Sequence, residues 1–181
     1  MNLFDLLGDA LGLSLGRIAR LVATKLESRR LRGRVAVIGE PLARALADDG
    51  CPVVAVLDEP RRRRKGPPRL VARPAALPFP DGALAAACAV GDEGDDPAVL
   101  DELARVVRPG GLVIAVTPLA ALVGRAPPAE RIAARFLHAL LVELEQHEVG
   151  STLVTWGQVR AFGVPLVAVD RPRPLPVEDG A

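Results

Sequence analysis

Hydrophobic positions along the chain form two kinds of run. One kind recurs at steps of three and four. Phe4, Leu7, Leu11, Leu15, Ile18, Val22 and Leu26 make such a stripe, which predicts one long amphipathic helix over residues 3–29. Leu3, Leu6, Leu13 and Leu21 widen it. Arg17, Arg20, Lys25, Arg29 and Arg30 load its C-terminal half with cations, where the negative end of the helix dipole lies. The other kind is apolar at every position. Val35, Ala36, Val37 and Ile38 run up to Gly39, and residues 53–57 run up to Asp58, Glu59 and Pro60. Parallel strands covered on both faces read this way. A short helical pattern over residues 42–49, stopped by Gly50, joins the two and implies a right-handed crossover.

Residues 60–69, with Arg61, Arg62, Arg63, Arg64 and Lys65 among prolines and a glycine, read as a loop, and residues 70–72 as a short strand. Residues 83–90 are another apolar run, followed by an acidic loop at 92–96. Asp96 is placed to cap a helix with Pro97 at its first position, running to about Val107. Pro109, Gly110 and Gly111 then turn the chain into a strand over 112–117. Residues 128–147 predict a late helix with Ile132, Phe136, Leu140 and Leu144 on one stripe, and strands near 152–156 and 165–169 follow. The proline-rich residues 171–176 lack donors for a sheet and are expected to be extended and exposed. Alternating strands and helices predict an α/β fold, a doubly wound and mostly parallel Rossmann-like sheet. The expected division is an N-terminal amphipathic helix (1–32), an α/β domain (33–170) and an exposed tail (171–181).

Composition narrows the chemistry. The chain has 181 residues, enough for one domain with a real core, and its net charge of +1 exerts no general pull on nucleic acid. With no Tyr and one Trp it lacks stacking platforms for bases, so no specific nucleic-acid partner is expected. Cys51 and Cys88 fall in or beside apolar runs without metal-ligand spacing and read as reduced thiols. His138 and His147, nine residues apart, would lie on different faces of the late helix, so no metal is expected. There is no nucleophile elbow, basic leader with a cleavage site, or uncharged run of about 18 residues. A cytoplasmic location is expected, with peripheral membrane contact through the N-terminal helix left open.

Two phrases add a family resemblance. Leu77-Pro78-Phe79-Pro80-Asp81-Gly82 and Leu103-Ala104-Arg105-Val106-Val107-Arg108-Pro109-Gly110-Gly111 resemble the second half of a class I S-adenosylmethionine (SAM)-dependent methyltransferase domain. The kind is type 11, like the ubiquinone and menaquinone biosynthesis enzymes. The resemblance covers about residues 34–118 and, less closely, the chain to 170. It implies SAM as cofactor, no metal, and methyl transfer driven by positioning of donor and acceptor. Carried onto this chain, it makes Gly39, Glu40, Asp58 and Leu77 the cofactor-binding candidates and names no catalytic residue.

The cofactor half departs from that family. Its G-x-G-x-G turn is here Gly39-Glu40-Pro41-Leu42-Ala43. Pro41 offers no amide, and Glu40 brings a carboxylate toward the cofactor's own, unless it bonds the cofactor's ammonium. Leu57 stands where an acid should end the second strand, and Asp58 comes one residue late. Arg73 stands where an acid often meets the adenine amino group, and the F-D-x-V-x strand reads Leu84-Ala85-Ala86-Ala87-Cys88. Two or three lost contacts, each of about 1.5 to 3 kcal/mol, take a micromolar ligand toward millimolar.

The expected function is therefore a methyltransferase-like pseudoenzyme with an eroded SAM site and a partner-binding or regulatory role. An active small-molecule methyltransferase with atypical cofactor binding and an amphipathic-helix membrane-surface adaptor stand as alternatives. The expected partner is another protein or a second copy, met through residues 3–29. Arg61 to Lys65 are the candidate for an anionic ligand or membrane surface, because ligands meet doubly wound sheets at the carboxyl edge. That basic loop and the acidic loop, about 10 Å apart at that edge, are expected to face each other.

Overall fold

The structure is a computed structural model that describes residues 3–60, 66–119 and 128–160, with side chains from Leu15 onward and, in the last segment, from Ala129. Helix α1 (Leu3–Ser28) precedes β1 (Val35–Ile38), α2 (Glu40–Asp48), β2 (Val53–Leu57), β3 (Arg69–Val71) and β4 (Leu84–Val90). A 3-10 turn (Gly91–Asp95), α3 (Pro97–Val106), β5 (Val107–Pro118), α4 (Pro128–His138), β6 (Leu141–Val149) and β7 (Thr152–Val159) follow. The seven strands lie in the order β3-β2-β1-β4-β5-β7-β6. Strands β1 to β5 are parallel, and β7 runs antiparallel between β5 and β6. The order reverses between β1 and β4, which makes that the topological switch point.

Continuous apolar strands arise here for the expected reason. Val35, Val37, Ala86 and Cys88 face α1 and α2, while Ala36, Ile38, Ala87 and Ala89 face α3 and α4. Alternate residues thus enter different cores, and a polar side chain at either parity would be buried. Ile18, Ala19, Val22 and Leu26 of α1 pack with Leu42 and Leu46 of α2 on the first face. From Leu15 onward, the stripe expected to meet a partner is therefore core of the protein's own domain. A partner of α1 must meet it elsewhere than along Ile18, Val22 and Leu26.

Helix α3 begins as its sequence directs, with the Asp96 carboxylate accepting the Ala98 N–H at 2.9 Å and Pro97 in the first turn. Strand β5 starts earlier than expected. Val107 already pairs with Leu84, residues 108–111 loop out, and Leu112 resumes opposite Ala86. A Cβ on Gly111 would lie 2.5 Å from the Ala85 carbonyl oxygen, so the resumption requires glycine.

The late helix is corrected. It ends at His138, and residues 141–149 are the edge strand β6. Ile132 and Phe136 are buried as expected, but Leu140 takes φ 58° and is 74 % exposed. Helical spacing of Leu140 and Leu144 misleads because β6 carries a bulge between Val142 and Glu145, which breaks the strand's alternation. Two of its acids are taken up by α1 and the residue after it: Lys25 Nζ meets Glu145 at 2.6 Å and Arg29 meets Glu143 at 2.8 Å. Lys25 also lies 4.8 Å over the Trp156 ring, on which His147 stacks at 4.6 Å. His147 is thus a strand residue and does not share a helix with His138.

Arg61 to Lys65, the strand expected near 165–169 and the proline-rich tail lie outside the described residues. No helix among the described residues is long and apolar enough to cross a membrane.

Candidate functional site

The switch point places the end of β1 beside the end of β4. The passage from strand to helix takes one residue: Ile38 ends β1, Glu40 opens α2, and Gly39 between them has φ 132° and ψ 96°. Glycine is demanded there twice, by the positive φ and by Val90. A Cβ on Gly39 would lie 2.9 Å from both Cβ and Cγ2 of Val90. Ile38 pairs with Ala89, so Gly39 and Val90 are the next residues along the two strands. The close approach that Gly39 permits is to a valine side chain packed on the core.

Glu40, next in the chain, is 14 % exposed and engaged within the fold. Its Oε1 accepts from Arg69 Nη2 at 2.7 Å and from Arg44 Nη2, one helical turn on, at 3.1 Å. Leu57, the last residue of β2, is buried at 7 %, and Asp58 just beyond the strand is exposed. Arg73, past β3, is exposed as well. Gly39 and Glu40 are thus together at the switch point, Asp58 stands at the next strand's end, and Leu77 belongs to the core under α3.

Leu77 has its backbone polar groups occupied from within. Its N–H donates to Glu102 Oε1 at 2.6 Å, and its carbonyl accepts from Arg105 Nη2 at 3.2 Å. The Arg105 guanidinium also donates to both Glu102 oxygens at 2.7 Å, to the Phe79 carbonyl at 3.1 Å and to Asp81. Gly82 N–H donates to the Arg105 carbonyl at 2.9 Å. The two phrases that carry the family resemblance are therefore bound to each other by one arginine. That arginine's hydrogen bond, with a lesser contribution from the Leu77 N–H, holds the Glu102 carboxyl below its ordinary value although burial opposes it. Bonds to Glu102 and Asp81 in turn raise Arg105 above its ordinary value.

A second charged group sits past the end of β4. Asp95, in the 3-10 turn, accepts from Arg131 at 2.6 and 3.4 Å and meets Arg135 Nε at 3.1 Å. These side chains are 15 to 28 % exposed and fasten α4 to the carboxyl edge. Asp95 thus pairs with α4, while the basic loop that the acidic loop was expected to face, Arg61 to Lys65, lies outside the described residues. Elsewhere, burial pushes the Cys88 thiol up to about 12, and the Lys25 hydrogen bond holds Glu145 below its ordinary value. No group of three metal-ligating side chains occurs among the described residues.

Sequence reasoning overlooked Glu102, Arg131 and Arg135, took Asp95 only as part of the acidic loop, and gave Arg105 no role beyond its phrase. The spacing of Glu102 and Arg105, and that of Arg131 and Arg135, marks same-face neighbours on a helix. Nothing local marks their partners, which lie 24 to 36 residues away.

No protein-family model matches the chain, and no curated protein matches it significantly. Solved structures do match. A chain from the complex between the Haloferax volcanii Trm112 methyltransferase activator and a methyltransferase is 18 % identical with TM-score 0.59, covering 89 % of this chain and 99 % of that one. A SAM-dependent methyltransferase of Thermotoga maritima is 17 % identical with TM-score 0.60, covering 87 % and 96 %. Geranyl diphosphate methyltransferase in complex with SAM is 15 % identical with TM-score 0.58, covering 79 % and 84 %. At such identities the likeness speaks for architecture alone, and that architecture is the class I methyltransferase fold.

Proposed function

We propose that this chain is a methyltransferase-fold protein whose SAM position has been given over to the fold itself, and that it acts by binding a protein partner. The observation that carries the reading is the place of Val90, whose Cβ and Cγ2 lie 2.9 Å from where a Cβ on Gly39 would stand. A cofactor laid against the first turn needs open space over a glycine and free amides at a helix start. Here a valine stands close beside the glycine, Pro41 supplies no amide, and the Glu40 carboxylate is held by Arg69 and Arg44. The same holds further along the edge. Leu57 offers the ribose no acceptor, and the Leu77 N–H that could meet adenine is committed to Glu102. The residues at this site do not fit SAM, and no methyl-transfer step is derived through it. Partner binding draws support from the Haloferax volcanii neighbour, a structure of a complex with an activator protein.

The rival reading is an active SAM-dependent methyltransferase of a small molecule, with Gly39, Glu40, Asp58 and Leu77 holding the cofactor in an unusual way. It draws support from the SAM complex among the fold's neighbours. Calorimetric titration with SAM and with S-adenosylhomocysteine separates the two. The proposal expects no heat of binding up to millimolar ligand. Saturable binding tighter than about 50 μM, roughly 6 kcal/mol, would overturn it in favour of the enzyme.

A further inference from the structure

Residues 72–83 carry the chain from β3 to β4 without forming a helix. Crossovers of parallel strands ordinarily lay helices on the faces of the sheet, so β2 and β3 are thinly covered on the side toward α3. Val54 shares that face with Val56, which is buried in the core under α3. Leu70 pairs with Val56 and points the same way. Val54 and Leu70 are only half-buried, and so is Phe79 of the connection. Together with Pro52 and Pro68, these three line a cleft of about 520 Å³ at the amino ends of β2 and β3. Clefts of about 300 to 1,000 Å³ are the size that takes a small ligand.

The charge in this cleft is of one sign. Arg34 and Arg69 line it, and no carboxylate, hydroxyl or amide side chain does. Clefts of similar size elsewhere mix their charges. Glu27 and Asp49 accompany Arg30 and Arg32 in one, and Asp48 and Asp49 accompany Arg17 and Arg20 in another. The Arg69 guanidinium is engaged by Glu40 at 2.7 Å. Arg34 is exposed and has no ion-pair partner among the described residues. Its place is fixed by the sheet: its carbonyl accepts the Ala85 N–H at 3.0 Å, and the next N–H, of Val35, donates to the Pro52 carbonyl at 3.0 Å. A guanidinium takes a carboxylate in a fork of two bonds. An apolar floor with such a cation at its rim is complementary to a molecule with an apolar body and one carboxylate head.

We propose that this cleft binds small amphiphilic carboxylates, with the alkyl body on Val54, Leu70 and Phe79 and the carboxylate at Arg34. Arg34 precedes β1 and Gly39 follows it, so the cleft lies at the opposite edge of the sheet from the switch point. It is independent of whether SAM or a protein partner binds.

Calorimetric titration of the full chain with decanoate at low salt tests it. Saturable binding at one site is expected, with a Kd below about 100 μM. Decanol keeps the body and lacks the charge, and is expected to bind at least roughly tenfold more weakly. Acetate keeps the charge and lacks the body, and is expected to give no saturable heat. Arg34→Gln breaks no ion pair, so the variant remains folded. It is expected to weaken decanoate at least roughly tenfold and to leave decanol unmoved. Cys51 also lines the cleft, so decanoate is expected to slow its labelling by a thiol reagent, with half-protection at the Kd read from the heat. No saturable heat and no protection up to about 1 mM decanoate overturns the proposal. So does equal binding of decanoate with either decanol or acetate, or decanoate binding unmoved by Arg34→Gln. Retention on phosphatidylglycerol vesicles that Arg34→Gln abolishes, without binding of free decanoate, assigns the arginine to a membrane surface and overturns it as well.

Discussion

The guanidinium of Arg105 donates to the carbonyl oxygen of Leu77, 28 residues earlier, at 3.2 Å. This bond joins the turn before β4 to the end of α3, and the same arginine holds Glu102, Phe79 and Asp81. A fork of donors can hold two carboxylates and two carbonyls together only if it is planar and fixed. Both phrases of the family resemblance therefore have a reason to persist that involves no cofactor.

Replacing Arg105 with Ala is expected to destabilise the protein by about 2 to 3 kcal/mol, because Glu102 is left largely buried beside carbonyls without its cation. Arg105→Lys is expected to recover less than half, having a point charge in place of the fork. Urea unfolding measures both. Full stability in the lysine variant would show that charge alone suffices.

Stability should fall in acid through Glu102. Its folded carboxyl lies below the ordinary 4.5, so it contributes stability above pH 4.5 that is lost as pH falls through the lower folded value. Glu102→Gln should reduce stability at pH 7 and flatten the loss that wild type shows as pH falls below 4.5. Urea midpoints across that range, compared between wild type and variant, decide it.

Gly39→Ala is expected to cost about 2 to 4 kcal/mol, from the positive φ and the crowding by Val90 together. Val90→Gly in the same chain removes both crowding atoms but leaves the φ cost. A double-mutant cycle should therefore show a favourable coupling of at least about 1 kcal/mol. Simple additivity would mean that Val90 does not cover the glycine in solution.

Asp95→Asn should loosen α4, since it leaves Arg131 and Arg135 facing each other with a neutral acceptor between them. The expected loss is about 2 kcal/mol, with hydrogen exchange accelerated at residues 131–138 more than in α3. Uniform acceleration throughout the domain would show that the triad does not act on α4.

The two cysteines should differ in reactivity. Cys88 is fully buried with its thiol raised to about 12, whereas Cys51 is half-buried and raised by burial and by Asp49 and Glu27. A thiol reagent at pH 8 should label Cys51, slowly, and reach Cys88 only at the rate of unfolding. Two labels before unfolding would contradict the packing of β4 against α1 and α2.

Much of the fold was legible in the chain because its signals are local. Val35 to Ile38 and Leu84 to Val90 are apolar at every position, and that pattern has few uses besides a strand buried on both faces. Asp96 and Pro97 announce α3 in two residues. Residues 141–149 were misread because an edge strand with a bulge keeps neither period, and its acids are balanced by Lys25 and Arg29 from 114 to 120 residues away. The candidate site divides the same way. Gly39, Glu40 and Leu77 could be picked through the family resemblance, which places them at its first turn and at the turn before β4. What occupies them could not. Val90 over Gly39, Arg69 on Glu40 and Glu102 on the Leu77 amide are contacts between distant segments, and no periodicity encodes a partner that only chain folding brings near. The sequence by itself determined the order of elements as far as β5 and the class of fold. Only the tertiary structure decided that Val90 stands beside Gly39 and that Glu40 and the Leu77 amide bond to side chains of distant segments, because folding alone brings those partners near.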